Sequence, residues 1–191
     1  MTGRQSLYSG LSYAAWGYLF LYVDFNLNNV SVLPRFAGWL LFLAAIGKLK
    51  EARRDLALLR PLGAVMALWT GADWIASWAG ADIDGRFLPL DLLTGIAGLY
   101  FQFQFLTDMA ALAEVYVPES PALRHRILRC RTMQTILLTV FALVWRLPSP
   151  LTGQLAGLTF TALLIAYLAA GLLLMAAMFT LRRCFQGDSS K

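Results

Sequence analysis

Six long apolar stretches alternate with short polar ones along the chain. They run roughly from Leu7 to Val23, Phe36 to Leu49, Leu62 to Ala79, Pro89 to Leu112, Met133 to Trp145 and Leu155 to Leu181. Several approach or exceed the ~20 residues that span a bilayer, and the second and fifth must borrow from their flanks. The apolar positions are near-continuous rather than alternating, which predicts helices and not the strands of an outer-membrane barrel. Arg4 before an apolar run also fits a cleaved signal peptide. That run is long, aromatic-rich and lacks a small-residue cleavage site before Asp24, so a first transmembrane helix is the better reading.

Composition sharpens this. The 191 residues are 59% hydrophobic and 14% charged, with a mean hydropathy of +0.61. A soluble domain carries about a quarter charged residues. The expected fold is therefore all-α: a polytopic integral membrane protein forming a single membrane domain over residues 1–191.

The basic residues orient it. Arg4, the connection from Lys48 to Arg60, the connection from Arg124 to Arg131, and the tail hold thirteen of the sixteen lysines and arginines. Arg35, Arg86 and Arg146 remain for the other side. The positive-inside rule then places both termini in the cytoplasm and the protein in the cell membrane. A net charge of +5 in a soluble protein would suggest nucleic acid. Here the excess lies beside the membrane, so anionic lipid at the cytoplasmic face is the expected partner and nucleic acid is not. Cys130 and Cys184 both fall on the cytoplasmic side and read as free thiols.

Leu-Pro occurs three times, at 33–34, 88–89 and 147–148, each on the outer side just before an even-numbered helix. The second and third units also share Ala97-Gly98-Leu99 and Ala156-Gly157-Leu158. This predicts three tandem hairpins, about 7–49, 62–112 and 133–181, with turns pointing outward. Either duplication or convergent helix-start chemistry accounts for the spacing. Proline suits a first helical turn because it lacks an N–H that would go unpaired there. The polar stretch "DFNLNNVSVLPRF" (24–36) reads as the first outer turn, with Asp24, Asn26, Asn28 and Asn29 pairing loop backbone groups.

The segment Gly17 to Leu49 resembles the N-terminal signature of an uncharacterised family of small multi-pass membrane proteins of Gram-positive bacteria. The matching positions are Asp24, Asn26, Leu33, Pro34, Phe36 and Gly38, with Arg35 where the family often has an acid. The resemblance implies a multi-pass membrane fold and no particular activity.

Asp73 is the one acid well inside an apolar run. A charged Asp near a helix centre costs about 2.5 to 3.5 kcal/mol on insertion scales, so it is a candidate for ligand or ion contact as well as for a structural hydrogen bond. Trp74 and Trp78 lie four apart beside it and share a helix face. An outward pocket formed by Asp73, Trp74 and Trp78, with Asn26 or Thr94 nearby, is where a ligand is expected if one binds. Gln102 is a further ligand candidate. Gln104, two residues on, points about 200° away from it, so the pair cannot serve one site, and bridging between helices is the stronger reading for both. Asp108 lies toward the inner end of the same helix.

"DIDGR" (82–86) has the start of a calcium loop but Leu93 at the twelfth position, so a polar turn is expected and no metal. Most of the six tryptophans lie within a few residues of a predicted segment boundary and read as interfacial anchors, the alternative being an aromatic-lined ligand cavity. The amphipathic segment Gly47 to Pro61 reads as a solvated extension of helix two, with lying along the inner leaflet or docking a partner helix as the alternatives. Gly153 with Gly157, and Gly10 with Ala14, are small-residue pairs of the kind that allow close helix packing.

Nothing points to catalysis. The single histidine, His125, lies among arginines. There is no zinc-spaced cluster, no serine with an evident base and no phosphate-cradling loop, and no cofactor is expected. Two function classes remain. One is a non-catalytic membrane subunit or regulator that packs against a membrane protein partner or a second copy. The other is a small-molecule binding or transport protein, similar in size and form to the substrate-binding membrane subunits of vitamin transporters.

Overall fold

The computed structural model describes residues 3–22, 26–27, 30–31, 34–80, 88–144 and 154–186, with 26, 27, 30, 31, 144 and 154–156 as backbone alone. The described residues form six helices: α1 Gly3–Tyr22, α2 Arg35–Leu49, α3 Arg60–Trp78, α4 Leu88–Tyr116, α5 Pro121–Val144 and α6 Gln154–Arg183. A 3-10 helix, Arg54–Leu59, leads into α3. Between α1 and α2, β1 (Asn26–Leu27) and β2 (Val30–Ser31) pair antiparallel, with Asn26 opposite Ser31. The fold is otherwise all-helical. Within the asparagine-rich stretch read as a turn these two short strands pair, and residues 28–29 between them lie outside the described residues.

Prolines mark the helix starts. Pro34 caps α2 in extended geometry, Pro61 and Pro89 are second residues of α3 and α4, and Pro121 opens α5. Each sits where an N–H has no helical acceptor. α3 ends at Trp78, and two residues on Gly80 turns the chain: its φ of 69° lies in the left-handed region and its N–H donates to Ser77 O; glycine adopts that conformation without a Cβ clash.

The helices form a closed ring in which successive neighbours run antiparallel. Gly10 faces Leu49 and Gly17 faces Gly38 across α1 and α2; Gly63 and Gly71 of α3 face Leu43 and Phe36 of α2. α3 meets α4 at Gly63 with Phe101 and at Met66 with Gly98. Arg124 reaches Glu114, and Arg131 reaches Thr107, across α5 and α4. Phe141 of α5 contacts Phe160 and Tyr167 of α6. Tyr22 against Gly171 and Ser12 against Arg182 bring α6 back to α1 and close the ring. The start of α1 and the end of α6 therefore lie at one end of the bundle, together with Lys48, Arg53, Arg124 and Arg182.

Aromatic rings fill the centre. Phe42 meets Tyr18 at 4.9 Å, Phe105 at 5.0 Å and Phe101 at 5.6 Å, all edge-on, and Trp39 meets Phe101 at 5.0 Å. Such pairs contribute about 0.5–1.5 kcal/mol each beyond area burial. The same core continues to the basic end, where Leu56, Leu59, Met109, Leu112, Leu123 and Ile127 are buried.

Two expectations are corrected at that end. The segment Gly47 to Pro61 is not an extension of helix two: α2 stops at Leu49, and the 3-10 helix folds under the bundle with Leu56 and Leu59 buried. The basic connection before the fifth apolar segment is itself helical, since α5 starts at Pro121. Its buried positions Leu123, Ile127, Cys130 and Gln134 recur at helical spacing, while His125, Arg126 and Arg129 face outward. An amphipathic helix of this kind hides from a search for continuous apolar runs.

The outward surface is strongly apolar, with Leu40, Val65, Leu68, Ile75, Ile96, Tyr100, Leu143 and Ile165 all exposed. Among the described residues one helix, Gly157–Arg183, is long and apolar enough to cross a membrane. Most of its length is unburied, with Leu158, Leu164, Ile165 and Leu172 on the exposed side.

Candidate functional site

The sequence candidates Asp73, Trp74 and Trp78 lie on the C-terminal half of α3. The rings of Trp74 and Trp78 meet at 5.4 Å, and Trp74 also packs edge-on against Phe36 of α2 at 5.4 Å. Asp73 is half-buried, whereas Trp78 is 63% exposed. Thr94 turns back on its own helix, donating to Leu90 O at 3.0 Å and to Asp91 O at 3.2 Å. Asn26 contributes a backbone position in β1, and Asp24 and the "DIDGR" turn lie outside the described residues. The two best-formed depressions among the described residues are elsewhere. One is an apolar groove between α1 and α2 lined by Tyr13, Trp16, Phe20 and Leu40; the other is a polar dip at Lys50, Glu51 and Arg54.

Gln102 sits at the bundle centre instead. It is buried, and its Oε1 accepts from the Tyr22 hydroxyl at 3.5 Å, linking α4 to α1. Gln104 points away as its spacing requires, and its amide donates to both carboxylate oxygens of Asp108 at 3.4 Å. Around Gln102 a polar cluster assembles that sequence reading missed. Tyr22 stacks on Tyr167 of α6 at 4.6 Å, Tyr18 lies one turn below it, and Gln134 of α5 approaches the Tyr22 hydroxyl. That approach falls short of a hydrogen bond: among the described residues neither amide atom of Gln134 has a partner, and the Tyr18 hydroxyl has none either. Gln134 and Tyr18 are 2% and 1% exposed. The i, i+4 spacing of Tyr18 and Tyr22 and the amide inside "RTMQTILL" were the available signals.

At the basic end Asp108 is fully buried and accepts from Arg53 Nε at 3.3 Å. Arg53 also pairs with Asp55 at 3.1 Å. Glu114 and Arg124 form an exposed pair, which contributes little. Arg131 and Arg182 lie flat on aromatic rings in grooves between helices. Cys130 is buried and Cys184 exposed, and both are free thiols. Burial pushes the Cys130 thiol above its ordinary pKa, and the nearby Arg126 opposes that shift.

This arrangement has little reactive chemistry. His125 Nδ1 faces the Pro121 carbonyl at 2.8 Å on an exposed surface, far from any nucleophile–base geometry. Among the described residues, no three His, Cys, Asp or Glu side chains stand close enough to share a metal ion. Of the interior polar side chains, Tyr22 and Gln102 join α1 to α4, and Asp108 joins α4 to the turn after α2. Compared with known protein families, curated proteins and solved structures, the chain matches none.

Proposed function

We propose that the chain is a six-span membrane protein of the cell membrane, both termini in the cytoplasm, acting as a non-catalytic subunit or regulator that packs against a membrane partner. One observation carries this: apolar side chains cover the outside of the bundle from Leu40 and Val65 to Ile165 and Leu172, while Gln102, Asp108 and Tyr22 turn inward onto other helices. In water such a surface is unfavourable; in lipid it is the normal solvent-facing composition. Gathering of arginines at the end that holds both termini supports the orientation. Only α6 meets the spanning criterion alone, because Gln102, Gln104 and Asp108 dilute α4 and α2 has 15 residues. Buried in a ring, such helices need not be uniformly apolar. Membership of the Gram-positive family is proposed on the signature in the first hairpin alone.

The orientation is tested with single cysteines at Lys50 and Asp82 in a chain lacking Cys130 and Cys184. A membrane-impermeant maleimide should label the Asp82→Cys protein in intact cells and the Lys50→Cys protein only after lysis. Labelling of both in intact cells, or of neither, overturns the six-span reading. The subunit role is tested by native mass spectrometry of the gently extracted protein, where a stoichiometric co-purifying protein is expected.

The unpartnered polar atoms of Gln134 and Tyr18 favour the second reading, a small-molecule binder with its site at the bundle centre. A bound species of constant low mass in the same spectra would establish that reading in place of the first.

A further inference from the structure

We propose that Arg182 and Arg131 each hold the phosphate of an anionic phospholipid headgroup in the leaflet at the basic end of the bundle, an inference that rests on the six-span reading. Arg182 ends α6 in the groove beside α1. Its guanidinium lies 4.8 Å from the centre of the Tyr8 ring and 4.9 Å from that of Phe179, and Nη1 donates to Ser12 Oγ at 3.2 Å. Arg131 occupies the groove between α5 and α4, 4.3 Å over the Phe103 ring, with Nη1 donating to Thr107 Oγ1 at 2.9 Å.

The two sites share one construction. Each guanidinium is held over aromatic rings and tethered by one hydroxyl. Each side chain is half-buried, and the Nε is sealed away without a hydrogen-bond partner. Neither arginine pairs with a carboxylate among the described residues, whereas Arg53 and Arg124 are paired with Asp108 and Glu114. A guanidinium has five N–H donors in a fixed fork, so each retains donors for an anion.

Position selects the anion. Both grooves open on the apolar outer surface: Phe103 is exposed, and exposed Trp16 packs edge-on against Phe179 at 6.1 Å. Aromatic rings and arginine stems at this height match the headgroup level of a bilayer. The fork geometry fits phosphate oxygens bidentately, and the ring contact fixes the charge before the ligand arrives. Arg126 and Arg129, exposed on α5, supply only general attraction to an anionic surface.

The test uses the full-length protein in neutral detergent, with thermal midpoints read after adding phosphatidylglycerol, phosphatidylcholine or inorganic phosphate. Phosphatidylglycerol should raise the midpoint by about 2–4 °C, and the other two should leave it unchanged. Arg131→Gln with Arg182→Gln should abolish the shift, and Arg126→Gln with Arg129→Gln should retain it. A shift that survives loss of Arg131 and Arg182, or that phosphatidylcholine matches, overturns the proposal. An equal shift with inorganic phosphate means that the arginines take free phosphate, and the lipid assignment fails. If the first pair of substitutions prevents folding, native mass spectra of the unaltered protein decide: preferential retention of phosphatidylglycerol is expected, and equal retention of both lipids overturns the proposal. Maleimide labelling at positions 50 and 82 does not depend on headgroup, so failure here is separable from failure of the six-span reading.

Discussion

Arg53 Nε donates to Asp108 Oδ1 across 3.3 Å, tying the turn after α2 to the inner part of α4. The carboxylate has no exposed surface, while the arginine is 37% exposed. The bond is therefore asymmetric, because removing either partner leaves a different residue behind. Arg53→Met strands a buried carboxylate and is expected to cost about 3 kcal/mol, the low end for broken buried pairs because water screens part of this one. Asp108→Leu leaves an arginine that still has Asp55 and is expected to cost less. The double variant should recover most of the loss, as buried ion pairs replaced by apolar groups usually do. Thermal midpoints of the three proteins in one detergent check the order.

Glycine positions separate by what lies against them. A Cβ at Gly171 would run into the Tyr22 ring, and one at Gly10 would stand 2.7 Å from Leu49 Cγ. Gly171→Ala is expected to destabilise by about 1–3 kcal/mol through overpacking. Gly95→Ala meets nothing within 4 Å and should stabilise α4 slightly. Gly157, half of the small-residue pair noted in the sequence, is equally open, so Gly157→Ala should be neutral or better. Equal midpoints for the Gly171 and Gly95 variants would contradict the close approach of α6 to α1.

Gln134→Leu reads the state of the central cluster. A buried amide with no partner costs about 1–3 kcal/mol, and leucine removes that cost at similar volume. A raised thermal midpoint is expected for the protein without ligand. A lowered midpoint would mean that a bound molecule satisfies the amide, and would move the functional assignment to the binding reading.

The two thiols should react very differently. Cys184 is exposed on the last turn of the chain's helical part, and Cys130 is 8% exposed on α5. Burial raises the pKa of Cys130, so its thiolate fraction at neutral pH is lower than that of an ordinary thiol and grows as pH rises. Maleimide is expected to label Cys184 at least about tenfold faster at neutral pH. The ratio should narrow toward alkaline pH. Equal rates would place Cys130 on the surface.

Most of the helices, and the common end shared by the start of α1 and the end of α6, were legible because they depend on local quantities, the length of apolar runs and the placement of lysine and arginine. The inner half of α5 was not, since its leucine and isoleucine are spaced among arginines and lower the local hydropathy. The Tyr22–Gln102 contact joins residues 80 apart in the chain, and the sites of Arg131 and Arg182 depend on which groove each helix borders. Spacing did establish that Gln102 and Gln104 diverge, and it did bring Trp74 onto Trp78. It could not say that the polar interior would gather around α1 rather than around Asp73.

The seam between α1 and α6 sets a schedule for assembly. Ser12 meets Arg182 across 170 positions of chain, and Tyr22 finds its place over Gly171 only once the last helix has been made. α1 must therefore wait for α6, with the buried face of Leu7, Leu11, Tyr18 and Tyr22 incompletely covered until α6 has been made. A chain cut short before α6 would lack that wall of the ring, which makes the last helix the step that commits the protein to its native form.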